Sequence, residues 1–101
     1  MRRVIEGVQL IALQVHTDDR GYLIELVRRT DPFLTRFGQV YLVGDFVRGV
    51  VRAFHKHEVL RDYFFISHGS AKFVLIDDRP SSPTYKKIDV FVITSRNPSL
   101  L

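Results

Sequence analysis

Apolar positions in this chain recur in short runs separated by turn-forming residues, and no long stretch has helical periodicity. This spacing is typical of an antiparallel sandwich or barrel with about seven or eight strands. We therefore predict a single all-β domain over residues 1–101. The main predicted strands cover residues 8–15, 22–28, 39–46, 49–55, 62–66, 71–76 and 88–94.

Turn residues indicate how some of these strands connect. Asp19-Arg20-Gly21 predicts a tight turn between the first two strands, in which an aspartate side chain caps backbone amides. His68-Gly69-Ser70 predicts a second hairpin, between residues 62–66 and 71–76. The two leucines at 100–101 have the character of a further apolar strand.

Composition excludes several classes of protein. Hydrophobic residues make up 46% of the chain and aromatics 12%, which is globular composition. There is no cysteine, so disulfides, thiolate metal sites and a cysteine nucleophile are excluded. No segment approaches the roughly 20 apolar residues that cross a bilayer, and the first residues do not form a signal peptide. We expect a cytoplasmic protein with no membrane partner.

The net charge is +4, from 15 basic and 11 acidic residues. The basic residues are dispersed, and the chain has neither a basic helix nor a nucleic-acid-binding signature, so we expect no nucleic-acid partner. Two or three converging arginines would suffice to hold a phosphorylated small molecule. That kind of partner agrees with the charge.

The segment around His55 carries the candidate chemistry. In a regular strand His55 and His57 point to the same face, and Asp62 begins the next strand close enough to reach the same pocket. Two imidazoles and a carboxylate can bind a divalent metal, or one imidazole can act as a general base. Arg52 lies in an apolar run and requires a partner, such as a ligand phosphate or Glu25.

The spacing of Gly49, His55, His57, Asp62 and Gly69 resembles the first cupin motif, with aspartate where cupins usually carry glutamate. This resemblance implies a cupin-type antiparallel jelly roll, a double-stranded β-helix. The second cupin motif is absent from residues 1–101, so we expect a C-terminally short jelly roll. Open strand edges favour association, and we predict a homodimer that exchanges an N-terminal strand.

A narrower resemblance covers nearly the whole chain. The segments DRGYLIE at 19–25, GVVRAFH at 49–55 and DDRPSSPT at 77–84 resemble the dTDP-4-dehydrorhamnose 3,5-epimerase family. The resemblance implies an isomerase that binds a dTDP-4-keto-6-deoxyhexose in the interior of the jelly roll and needs no cofactor.

Site residues follow from the same resemblance. It implies that His55 is the general base that removes a proton beside the 4-keto group. It implies that Arg20 and Arg52 grip the diphosphate, that Glu25 contacts the nucleotide base, and that Gln39 contributes to substrate binding.

The chain departs from the family pattern at three points, which keep alternatives open. Asp62 stands where the epimerases carry a lysine, and His57 is not usual at its position. The tyrosine acid and the base-orienting aspartate of the family have no counterpart in residues 1–101, so we expect substrate binding more readily than turnover from this chain. The alternatives are a sugar-nucleotide 3,4-ketoisomerase-like protein, a metal-binding cupin using His55, His57 and Asp62, and a non-catalytic dimeric binding module.

Overall fold

A computed structural model describes residues 4–101, and these residues form an all-β structure without a helix. They accordingly contain no helix of the length and apolarity needed to span a membrane. The chain divides into two units, residues 4–26 with Tyr63–Leu101 and residues Val27–Asp62, which are treated separately below. The strands are β1 (Ile11–Ala12), β2 (Val15–Asp18), β3 (Gly21–Ile24), β4 (Ser70–Ile76), β5 (Ile88–Thr94) and β6 (Ser99–Leu100).

The longest pairing joins β4 and β5 in antiparallel register, with Phe73 opposite Phe91. Successive residues of a strand face opposite sides, and β5 follows this rule closely. Asp89, Phe91 and Ile93 are buried, whereas the residues between them are exposed. Phe91 and Ile93 therefore form the centre of the hydrophobic core of this unit, together with Leu101.

The C-terminal residues complete this core. β6 pairs with β1, so that Ile11 lies opposite Leu100. Phe64 and Leu101 exchange both backbone hydrogen bonds, each 3.0 Å long. The strand predicted from the two final leucines is thus confirmed. The hairpin predicted between residues 62–66 and 71–76 is wrong, because Phe64 pairs with Leu101 and β4 pairs with β5.

The loop between β4 and β5 folds around the buried side chain of Asp77. This carboxylate accepts hydrogen bonds from the Arg79 guanidinium and from the hydroxyls of Ser82 and Thr84. The backbone of Asp77 also bonds to Lys86 and Lys87. The loop is therefore held closed at its base, where β4 and β5 must meet.

A second buried carboxylate fixes the N-terminal segment. Asp89 accepts hydrogen bonds from the backbone N–H groups of Val4, at 2.7 Å, and Ile5, at 2.8 Å. The Glu6 N–H donates to Thr84, and its carbonyl accepts from Arg79. The first described residues are thus tied to β5 and to the preceding loop.

In residues Val27–Asp62 the N–H groups of Asp31 and Leu34 donate to the carbonyls of Arg28 and Asp31, which forms hydrogen-bonded turns, but these residues contain none of the strands. The strands predicted at 39–46 and 49–55 are therefore wrong for this structure. A strand exists only when its N–H and C=O groups pair with a neighbour, and residues 27–62 provide no such ladder. Apolar side chains such as Leu42, Phe46 and Val51 are consequently exposed.

Asp89→Ala should lower the free energy of unfolding by about 2–4 kcal/mol, because two backbone donors lose a buried charged acceptor. Urea unfolding measures this loss, and faster hydrogen exchange at the Ile5 amide would locate it. Asp89→Asn keeps one acceptor oxygen and should be intermediate. The exposed-face variant Lys72→Ala is the control, and equal stability of Asp89→Ala and the wild type would contradict the anchoring role.

Acidification should weaken the loop through Asp77. Hydrogen bonds from the Arg79 guanidinium, and then from the Ser82 and Thr84 hydroxyls, hold the pKa of Asp77 well below its usual range. A lowered folded-state pKa stabilises the fold at neutral pH, and this contribution is lost as the pH falls below about 4. Thermal unfolding between about pH 7 and pH 3 tests this.

In that measurement Asp77→Asn should lower the Tm by several degrees at neutral pH and flatten the acid dependence. Asp19→Asn, in an exposed turn, is the matched control and should follow the wild type. If the Tm of Asp77→Asn fell as steeply on acidification as the Tm of the wild type, a group other than Asp77 would be responsible for the pH dependence.

Candidate functional site

The β2–β3 hairpin presents Arg20. Asp18 lies opposite Gly21 in the register, so Asp19 and Arg20 form the two-residue connection. Gly21 has a φ of 142°, a conformation that residues with a Cβ rarely adopt. The predicted hairpin is confirmed, and its geometry places the Arg20 side chain at an exposed tip.

Asp18 is the acidic partner of Arg20. Its carboxylate accepts from the Arg20 backbone N–H at 2.8 Å and from Nη2 at 2.6 Å. The Arg20 side chain, followed by its backbone N–H, lowers the pKa of Asp18. We expected the aspartate of the Asp19-Arg20-Gly21 turn to cap the backbone. The structure gives that role to Asp18, because the residue before a two-residue turn faces its amides.

A shallow depression of about 460 Å³ lies on this hairpin. It is open to solvent, and every residue that lines it is exposed. Glu25 directly follows β3 and is exposed. The depression is lined by His16, Thr17, Asp18, Arg20, Gly21, Tyr22 and Leu23.

Arg52 is the second predicted phosphate ligand, and it lies in the Val27–Asp62 unit. Its Nε and Nη2 donate to Oδ1 of Asp45 at 2.9 and 2.6 Å. The Arg52 side chain remains 56% exposed. The sequence predicted that Arg52 needs a partner. In the structure this partner is the carboxylate of Asp45, seven residues earlier in the chain, which the sequence pattern did not indicate.

His57 and Asp62 are brought together in the same unit. Nε2 of His57 lies 3.1 Å from Oδ2 of Asp62, with the two side chains 39% and 41% exposed. A bend at Glu58 and Val59 lies between them. Asp62 thus contacts one of the two histidines, but it does not begin a strand as the sequence predicted.

His55 and Gln39 are exposed in this structure. Within residues 4–101, no carboxylate lies within ion-pair distance of His55, and no three metal-ligating side chains come together. We expected both imidazoles to face a cavity from one strand. Their segment forms no strand here, so the alternation that would orient them is not imposed.

The site residues are distributed over the two units. Arg20 and Glu25 belong to the first, whereas Gln39, Arg52, His55, His57 and Asp62 belong to the second. Sequence reasoning missed the partners Asp18 and Asp45. It also missed His16 and Tyr22, which line the hairpin depression.

Comparison with known proteins shows to which family this chain belongs. The sequence profile of the dTDP-4-dehydrorhamnose 3,5-epimerase family matches residues 2–101. The chain belongs to this family. The match includes all three segments on which the resemblance rests, the ones that contain Arg20, His55 and Asp77.

Two curated relatives in bacteria and archaea are similar over most of the chain. The spore coat polysaccharide biosynthesis protein SpsL of Bacillus subtilis is 41% identical over 98 residues, which cover 97% of this chain and 64% of the relative. A probable low-salt glycan biosynthesis epimerase of Haloferax volcanii is 35% identical over 104 residues, covering 96% of this chain and 63% of the relative.

The chain thus spans slightly less than two thirds of the length of these two relatives. No solved structure matched it.

Proposed function

We propose that this chain is a sugar-nucleotide epimerase-like protein that binds a dTDP-4-keto-6-deoxyhexose and removes a proton beside its 4-keto group. The observation that carries the proposal is the family match over residues 2–101, which contains the segments bearing Arg20, Arg52 and His55. The names of the relatives support a role in the synthesis of a surface polysaccharide or glycan.

In this proposal Arg20 and Arg52 bind the diphosphate. Each side chain is more than half exposed, and its guanidinium donates to one carboxylate oxygen. Exposed ion pairs contribute little to stability, so a diphosphate with several charged oxygens can replace Asp18 and Asp45 as the partner. Glu25 would contact the nucleotide base, and Gln39 would contribute a further polar contact.

His55 is assigned the general base. A proton next to a ketone is acidic because its loss gives an enolate, and an imidazole titrates in the range suited to remove it. The developing oxyanion requires nearby hydrogen-bond donors or positive charge. Asp62 cannot supply that charge, so an arginine or imidazolium of the site is needed for it.

The proposed mechanism needs no cofactor, because the base and the keto group suffice for proton removal. The cupin-type jelly roll and the homodimer belong to the same proposal. The exposed apolar side chains of residues 27–62 support further burial in an assembled protein.

A sugar-nucleotide 3,4-ketoisomerase-like function is the second candidate. The two histidines His55 and His57, with Asp62 where the epimerases carry a lysine, support it, because two imidazoles can shuttle a proton between neighbouring carbons. Product analysis by NMR separates the two activities. An epimerase retains the 4-keto group and inverts a neighbouring carbon, whereas a ketoisomerase moves the keto group to C3.

The proposal predicts that dTDP binds the chain and that Arg20→Ala or Arg52→Ala weakens the Kd about tenfold or more, through loss of a charge-assisted hydrogen bond. Isothermal titration calorimetry measures the affinity. Arg96→Ala and Arg36→Ala, exposed arginines of the first and second unit, are the matched controls and should bind as the wild type does.

Circular dichroism of each variant checks that the fold is retained. A wild-type chain with no measurable affinity for dTDP would contradict the proposal. If the control variants weakened dTDP binding equally, the interaction would be a general attraction between opposite charges and not a specific site.

A further inference from the structure

The two arginines that bind the diphosphate in the proposed function are each paired with an aspartate in the same way. Nε and Nη2 of Arg20 donate to Oδ2 of Asp18, at 3.1 and 2.6 Å. Nε and Nη2 of Arg52 donate to Oδ1 of Asp45, at 2.9 and 2.6 Å. In both pairs, therefore, the Nε–Nη2 edge of the guanidinium is occupied by a single carboxylate oxygen.

This arrangement leaves a stronger contact for a ligand to make. The Nε–Nη2 edge can donate two parallel hydrogen bonds to two oxygens of one phosphate, which is the bidentate form of the interaction. Asp18 does not present its second oxygen to that edge, because Oδ1 accepts the backbone N–H of Arg20 at 2.8 Å. A phosphate with two free oxygens thus gains a hydrogen-bond geometry that this carboxylate does not provide.

We propose that Asp18 and Asp45 are internal counter-anions, which occupy the phosphate-binding edges of Arg20 and Arg52 in the free chain and compete there with the diphosphate. The affinity for the sugar nucleotide is then set by the two aspartates as well as by the two arginines. This inference rests on the proposed function and deepens it, since neither aspartate was among the site residues that the sequence predicted.

Competition requires a carboxylate that is charged and yet easily displaced. The Arg20 side chain, followed by its backbone N–H, lowers the pKa of Asp18, so this carboxylate is ionised at neutral pH. The side chains of Arg20 and Arg52 are 87% and 56% exposed, and exposed ion pairs are weak. Displacing one aspartate therefore lowers the affinity by at most about fivefold and does not block the site.

Asparagine variants test the competition, because the amide keeps an oxygen that can accept the backbone N–H but carries no charge. In isothermal titration calorimetry, Asp18→Asn and Asp45→Asn should each tighten dTDP binding about threefold, and the double variant about tenfold. Asp19→Asn, in the same turn, and Asp31→Asn, which removes a charge beside Arg28, are the matched controls. Each control should change the affinity by less than about twofold, because solvent and salt screen exposed charges.

An Arg20→Ala background shows whether the gain depends on the arginine. Without the guanidinium there is no edge to release, so Asp18→Asn should then tighten binding no more than Asp19→Asn does. An undiminished gain in that background would overturn the inference. An affinity that is unchanged or weaker in Asp18→Asn with Arg20 present would also overturn it, and dTDP binding by the wild type would still support the proposed function.

Inorganic pyrophosphate, titrated in the same way, separates this inference from the proposed function. Tighter pyrophosphate binding by Asp18→Asn, with a wild type that binds no dTDP, would contradict the proposed function and support the counter-anion role. If neither anion bound to the wild type or to the variants, both proposals would be wrong.

Discussion

Pairing of β4 with β5 is the interaction on which the first unit depends. The alternation of β5 buries Asp89, Phe91 and Ile93 on one face, so this strand contributes both the core and the anchor for the N-terminal segment. The loop that lets the two strands meet is closed by Asp77. Of the two buried carboxylates, Asp89 thus connects β5 to backbone amides 85 and 84 residues earlier in the chain, whereas Asp77 closes its own loop.

Local aspartates recur at the candidate site. Arg20 is held by Asp18, Arg52 by Asp45, and His57 by Asp62, each pair lying within its own unit. The two arginine pairs are exposed and exchangeable, which is suitable for groups that must accept an anionic ligand.

Sequence reasoning succeeded where local pattern alone decides the structure. The alternation over 88–94 and the hairpin at Gly21 follow from short-range rules, and the structure has both. It failed where the partner is remote, as with Phe64, which pairs with Leu101. The strands predicted at 39–46 and 49–55 are absent, because an apolar sequence pattern forms a strand only where a neighbouring strand pairs with its backbone. The family resemblance was confirmed, because it rests on the identity of residues and not on their pairing. The contacts of Asp18 with Arg20 and of Asp45 with Arg52 became visible only in the structure.

Proton removal by His55 is the central claim, and solvent deuterium exchange tests it most directly because exchange requires the base and not the later steps. The dTDP-4-keto-6-deoxyhexose is incubated with the chain in D₂O, and loss of the proton signals beside the keto group is followed by NMR. The account predicts exchange above the buffer rate that falls about a hundredfold or more in His55→Gln. Exchange at the buffer rate with bound sugar nucleotide, or undiminished exchange in His55→Gln, would contradict it.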